Sequence, residues 1–287
     1  MKLSLLVLAC AVALVVAQPA PTNGPTNEQP VAWNYAKGGA DWPGLCSTGK
    51  AQSPININTS ATTCVRAGEP DAKPFRLDFH YKPAEGLTLS NNGHSLQVKG
   101  DLGFITIGGC NPCDGQKYHV KQVNFHAPSE HTINTEPYKD GHYVMETHII
   151  HQKEGSSGLN DLATVVILWY KQQPGGFPNP FLESIDWANA PADTTRHTTI
   201  QNKVRLGKLK EAFDGEYYSY LGSLPVPPCT ESVQYFVMKR PLGITEKQLD
   251  TVQALFQKNP NFANGHGNHR DVQPVNDRKV WYYRKHH

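Results

Sequence analysis

From Gln122 to His126 polar and apolar side chains alternate strictly, Gln-Val-Asn-Phe-His. The chain continues Ala-Pro-Ser-Glu-His-Thr132, and a second stretch, Glu146-Thr-His-Ile-Ile-His151, repeats the device. Such alternation belongs to a strand with one face on a core, so Gln122, Asn124 and His126 point one way while Val123 and Phe125 point the other. On the second stretch Glu146, His148 and Ile150 share a face. Paired, the two strands bring the imidazoles of His126 and His148 toward one metal ion, with Gln122 and Glu146 able to orient the rings from behind. A single histidine on a strand is more often a satisfied core or surface residue. Two of them, each with an amide or carboxylate neighbour on its own face, read as a zinc site with one ligand missing.

At 287 residues and 38% hydrophobic content the chain can bury a sizeable core, and one large domain accounts for most of it. Its 24 glycines and 22 prolines suit many short strands joined by turns better than a helical bundle. Lys plus Arg (27) barely exceed Asp plus Glu (25) and form no sustained run, which leaves no electrostatic footprint for nucleic acid. Residues 1–17 carry one lysine and then an apolar run ending in small residues, the pattern of a secretory signal peptide. A membrane anchor is the alternative, but the run is short and no second one long enough to span follows. Residues 18–32, rich in Pro, Thr, Asn and Gln, read as a flexible leader, and 33–287 as the folded domain of a secreted, extracellular protein.

Loss of the signal removes Cys10 and leaves Cys46, Cys64, Cys110, Cys113 and Cys229. Five thiols in an oxidising compartment make two pairs and one free thiol, or an intermolecular bridge. Cys110-Asn-Pro-Cys113 lacks the context of a redox or zinc pair, so a structural bridge from Cys64 to one of the two is the better reading. Asn58-Thr-Ser60 is an N-glycosylation sequon. Leu87–Val98 reads as a hairpin turning at Asn92-Gly93, with His94 at its exit. Val165–Trp169 is a continuous apolar run of the kind a strand buried on both faces shows, and Val233–Met238 another strand of the sheet core. Thr245-Glu-Lys-Gln248 is a capping box, followed by Leu249, Val252, Leu255 and Phe256 at helical spacing. Asn259–Asn268 is loop, and Trp33, Tyr35 and Trp42 read as anchors beneath the N-terminal segment.

The paired stretches resemble the signature of the α-class carbonic anhydrases, Gln-x-His-x-His, Ser-Glu-His and Glu-x-His-x-x-His. Ala51-Gln-Ser-Pro-Ile-Asn-Ile57, Asn91-Asn-Gly-His-Ser95, Gly222-Ser-Leu-Pro-Val-Pro-Pro-Cys-Thr-Glu231 and Arg270-Asp-Val-Gln-Pro-Val-Asn276 resemble other segments of that family. The resemblance runs from about Trp33 to the C-terminus. It implies a mixed α/β single domain, a large twisted and mostly antiparallel sheet of ten strands with peripheral helices. It implies that His126 and His148 are two of three zinc ligands and that Asn124 occupies the third position. Gln122 and Glu146 match the partners of ligand rings, and His131 and His151 match structural histidines. His94 matches a proton shuttle and Glu130 the acceptor of a threonine hydroxyl, but Pro225 and Val226 stand where the family has threonines. Ile150, Thr164, Leu224, Val226 and Tyr235 fall along the cleft, with Tyr235 in place of tryptophan. The family also implies a disulfide between Cys46 and Cys229.

Two changes bear on activity. An amide is a far weaker zinc ligand than imidazole, so zinc is expected to bind weakly or not at all. Proline offers neither a hydroxyl nor an N–H, and losing one such donor typically costs about 10² to 10³ in rate. The expectation is a secreted carbonic-anhydrase-related protein, a glycosylated pseudoenzyme that binds an unidentified extracellular or matrix partner. The rival readings are a zinc-dependent carbonic anhydrase with a makeshift third ligand, interconverting CO2 and bicarbonate, and an extracellular structural or storage protein.

Overall fold

The apolar run Val165–Trp169 sits inside the strand Leu162–Lys171, which pairs antiparallel with Met145–Lys153 on one side and parallel with Val233–Met238 on the other. Core covers both of its faces, which is why it can be apolar at every position. A computed structural model describes residues 33–68, 76–108, 115–134, 143–191, 196–257 and 267–285. The expected signal peptide and leader, Cys110, Cys113 and most of the Asn259–Asn268 loop lie outside the described residues.

In chain order the strands are β1 (Asn56–Ile57), β2 (Thr63–Arg66), β3 (Leu77–Tyr81), β4 (Thr88–Asn91), β5 (Leu96–Lys99), β6 (Gly103–Ile107) and β7 (Gln116–His126). They continue with β8 (Thr132–Ile133), β9 (Met145–Lys153), β10 (Leu162–Lys171), β11 (His197–Thr199), β12 (Tyr217–Gly222), β13 (Val233–Met238), β14 (Leu242–Ile244) and β15 (Trp281–Arg284). The helices α1 (Leu45–Thr48), α2 (Pro180–Ser184), α3 (Lys210–Phe213) and α4 (Glu246–Gln257) are peripheral. Among the described residues the main sheet has 13 strands. Its continuous path, β11-β4-β5-β7-β9-β10-β13-β12-β15-β2, carries the ten strands the resemblance implies, and β3, β6 and β14 branch from it. Pairing is mostly antiparallel, with parallel exceptions at β10–β13, β10–β14 and β15–β2. From Trp33 on, the chain is one compact unit. No helix among the described residues is long and apolar enough to cross a membrane.

One face of the sheet carries the larger core, with Val123, Phe125, Ile149, Val165, Ile167 and Trp169. The other carries a smaller one, with Val166, Leu168, Tyr218, Tyr220, Tyr235 and Val237. A bulge decides which face the site residues meet. Val120 lies opposite His151 and Gln122 opposite Ile150, so Lys121 is an extra residue in β7 that resets the alternation. Val120 therefore joins the larger core, whereas Gln122 two residues later faces the other way.

Local signals hold with one refinement. In the capping box Gln248 N donates to Thr245 Oγ1 (3.3 Å) and Thr245 N to Gln248 Oε1 (3.4 Å), and α4 buries Leu249, Val252 and Phe256. The hairpin closes not on two residues but on four, Asn92–Ser95, because Asn92 Oδ1 accepts from both His94 N and Ser95 N and only Gly93 takes positive φ, 87°. Cys46 and Cys229 are bridged with Cα atoms 5.0 Å apart. Cys64 is an exposed thiol on β2 with no bridge among the described residues, and the bridge expected for it runs to Cys110 or Cys113, which lie outside them. Asn58 is exposed, and its Oδ1 accepts from Ser60 N (3.1 Å) and Ser60 Oγ (2.7 Å) at the start of a single turn.

Candidate functional site

Asn124 and His148 face each other across β7 and β9, and the rings of His126 and His148 lie 4.7 Å apart between centroids. His126 Nδ1 donates to the carbonyl of Asn268 at 2.8 Å, which leaves Nε2 a lone-pair acceptor, buried and without a partner among the described residues. Burial, and then the charge of neighbouring His148, push the His126 pKa down to about 3, so the ring is neutral. His148 Nε2 lies 2.5 Å from Glu146 Oε1. Its Nδ1 is thus the ring nitrogen able to take a ligand. Asn124 is half-buried, and its Oδ1 is buried and unpartnered as well.

Behind these rings lies a dense polar layer. Glu146 Oε1 also meets His131 Nδ1 at 2.7 Å, while Oε2 accepts from the backbone N–H groups of Glu130 (3.0 Å) and His131 (2.8 Å). His131 Nε2 reaches Tyr220 Oη at 2.7 Å, and Tyr220 donates to Ser53 Oγ at 3.0 Å. Burial alone would raise the Glu146 pKa, but the charges and hydrogen bonds of His131 and His148 hold it well below the usual range. His151 points to the opposite face, with Nδ1 3.2 Å from the Ala163 carbonyl and Nε2 3.0 Å from Tyr81 Oη. The half-buried side chain of Gln122 makes no hydrogen bond among the described residues, and the neighbour on its own face is Asn124 rather than a ring. Ile150, Thr164 and Tyr235 follow Gln122 in one row across β9, β10 and β13, and Tyr235 Oη donates to the Ser223 carbonyl at 2.8 Å. Leu224 and Val226 are half-buried in the following loop.

A profile described as eukaryotic-type carbonic anhydrase matches residues 29–284. The chain belongs to that family. It is 32% identical over 259 residues to the carbonic anhydrase of Klebsiella pneumoniae, across 86% of this chain and 89% of the relative. Among solved structures it resembles the Chlamydomonas reinhardtii carbonic anhydrase Cah3 in complex with acetazolamide, at 28% identity and a TM-score of 0.68, covering 88% of this chain and 99% of that one. It also resembles dioscorin complexed with ascorbate, at 25% identity and a TM-score of 0.70, covering 89% and 99%.

Only one oxygen of Glu130 is hydrogen-bonded among the described residues. Its Oε1 accepts from Arg270 N at 2.9 Å, but Oε2 is buried and has no partner, and Pro225 supplies no hydroxyl. Burial, then the charge of Glu146, push the Glu130 pKa well above the carboxylate range. His126, Glu130 and His148 lie close enough to suggest a third metal ligand in Glu130. The closest approaches argue against it. They run to His126 Nδ1 (3.6 Å) and His148 Nε2 (3.8 Å), the nitrogens already engaged elsewhere, so Glu130 sits behind both rings. Two imidazoles and a neutral amide are therefore the donor set, and that set does not fit tightly held zinc.

His94 stacks on Trp33 with centroids 3.6 Å apart and planes at 12°, within a cluster completed by Tyr35 and Trp42. Burial lowers its pKa. Sequence reading passed over Asn268, which is fully buried. Its carbonyl holds His126, its Oδ1 accepts from Ala127 N (2.9 Å), and its Nδ2 donates to the carbonyls of His94 (3.0 Å) and Phe125 (2.9 Å). Arg270 is also buried; its guanidinium donates to Gln52 Oε1, Ser53 O and Cys46 O. An asparagine at the end of a Gly- and Asn-rich loop carries no local signal of such a role.

Proposed function

We propose that this chain is an extracellular carbonic-anhydrase-related protein that keeps the fold and cleft of its family, has impaired chemistry, and serves by binding a partner in the extracellular fluid or matrix. The observation that carries the reading is the amide at position 124, opposite His148, where a third ring nitrogen would be needed. Pro225 supports it independently, since Glu130 Oε2 is left without a donor. The Cys46–Cys229 bridge supports an oxidising compartment, and with it cleavage after the apolar N-terminal run and glycosylation at the exposed Asn58. The enzyme reading rests on the unpartnered Nε2 of His126 and Oδ1 of Asn124, two lone pairs a cation could take. A purely structural or storage protein is the third reading, separated from the first by capture of a partner from extracellular fluid.

The test is zinc stoichiometry by mass spectrometry on the secreted protein, together with CO2 hydration by the protein and three variants. The unaltered chain should hold well under one zinc and hydrate CO2 near background. Asn124→His should recover zinc, Pro225→Thr alone neither zinc nor activity, and the double change should exceed Asn124→His by about 10² to 10³ in rate. Stoichiometric zinc with robust hydration by the unaltered protein would overturn the proposal in favour of the enzyme.

A further inference from the structure

On the face of the sheet opposite the histidine cleft, a groove of about 690 Å³ runs between the Phe177–Pro180 segment and the Arg205–Lys210 segment. Tyr81 lines it and meets His151, the histidine that points away from His148, so the groove and the cleft are separate. Its volume is within the range that holds a small-molecule ligand.

The charges along its wall are unbalanced. Lys82 is paired with Asp101 at 2.5 Å, and Glu211, the acid among the lining residues, is paired with Arg240 at 3.4 Å. Arg205, Lys208 and Lys210 are exposed and form no ion pair among the described residues, although Arg205 also feels the charge of Glu85, which is paired with Lys203. Three cations on one short segment repel one another and raise the local concentration of anions. On the facing rim Phe177 is 87% exposed, the most exposed of the large apolar side chains. Gln172 also lines the groove, with its amide nitrogen on the Gly243 side and its oxygen packed against Gly176, away from the lining.

From this combination we infer that the groove binds a sulfated polysaccharide. Sulfate esters take the guanidinium and ammonium groups through charge-assisted hydrogen bonds. A sugar ring lays its apolar C–H face on the exposed phenyl ring of Phe177. Nucleic acid carries the same kind of anionic ester, and the choice between the two polyanions rests on the extracellular reading proposed above. The oxidising compartment that the disulfide requires favours the polysaccharide. The inference does not depend on the state of the cleft.

Titration calorimetry on the full chain with a sulfated oligosaccharide of defined length, its desulfated counterpart, duplex DNA and anionic lipid vesicles tests it. The sulfated sugar should bind, and its log affinity should fall with log salt with a slope of roughly −2 to −3. The desulfated sugar should not bind. R205E/K208E/K210E, all at exposed positions, should weaken binding by about 100-fold, from three contacts each worth about five-fold. Phe177→Ala should weaken it by several-fold without changing the salt slope. Undiminished binding by the triple variant, equal binding of the desulfated sugar, or equal binding of DNA or vesicles would each overturn the inference.

Discussion

Two polar layers lie one above the other at the centre of this protein, and they are built to different standards. In the lower layer His148, Glu146, His131, Tyr220 and Ser53 are each joined to the next by hydrogen bonds of 2.5 to 3.0 Å. In the upper layer Asn124 Oδ1, His126 Nε2 and Glu130 Oε2 are buried and unpartnered. The lower layer supports strands from four parts of the chain, and losing a member leaves a buried charge or an unmet donor. The upper layer exists only to meet something from outside. A side chain whose polar atom meets no protein partner, such as Asn124, should be replaceable at little cost to the fold.

The sharpest way to break this contrast is Glu146→Ala. It removes the acceptor of two imidazoles and two backbone N–H groups at once, and should cost about 3 to 5 kcal/mol in urea unfolding, as loss of one partner of a buried ion pair does. A loss below 1 kcal/mol would mean that the lower layer is not structural.

A smaller effect should appear in pH dependence. His126 and His151 are buried neutral with pKa values of about 3, against 6.5 unfolded. The fold favours their unprotonated form, so the stability they contribute is present above pH 6.5 and is lost as pH falls from 6.5 toward 3. Glu130 has the opposite sign. Its folded pKa lies well above 4.5, so its contribution is present below pH 4.5 and is lost as pH rises toward the folded value. Between pH 4.5 and 6.5 two protons act against one. Stability should therefore climb with pH, by less than the ~2.7 kcal/mol per unit that two histidines alone would give. Glu130→Gln removes the opposing group and should steepen the slope. An unchanged slope would show that Glu130 is not held protonated.

The smallest effect expected is that of Asn124→Ala. Removing an unsatisfied amide oxygen should shift stability by no more than about 0.5 kcal/mol in either direction. A cost of 2 kcal/mol in the same unfolding assay would place Asn124 in the load of the fold and end the division into two layers.

Much of this was legible along single strands. The alternation in β7, the burial of β10 and the capping box of α4 depend on neighbours one to four residues away, and the structure has them as read. The bulge at Lys121 was not legible, because only the partner strand reveals that Val120 and Gln122 face opposite ways. Nor was the four-residue hairpin turn, where the Asn92 side chain outweighs the preference of Asn-Gly for a tighter one. A contact between segments far apart in the chain leaves no local pattern. Asn268 and Arg270 were hidden for the same reason, since each acts on partners far away in the chain.

That distance has a consequence for how the molecule is made. The bond from His126 to Asn268 joins residues 142 apart, and the one from Arg270 to the Cys46 carbonyl joins residues 224 apart. A ribosome releases the chain from its N-terminus, so β7 and β9 can pair, and Glu146 can gather its histidines, well before Asn268 is synthesised. Until it arrives, His126 has no acceptor for its Nδ1 proton, and neither Ala127 N nor the carbonyls of His94 and Phe125 have their partner. Closures over such long loops are the slow part of folding a sheet of this kind. The cleft is thus assembled last, by a segment that reaches back across nearly the whole chain to fasten what was built first.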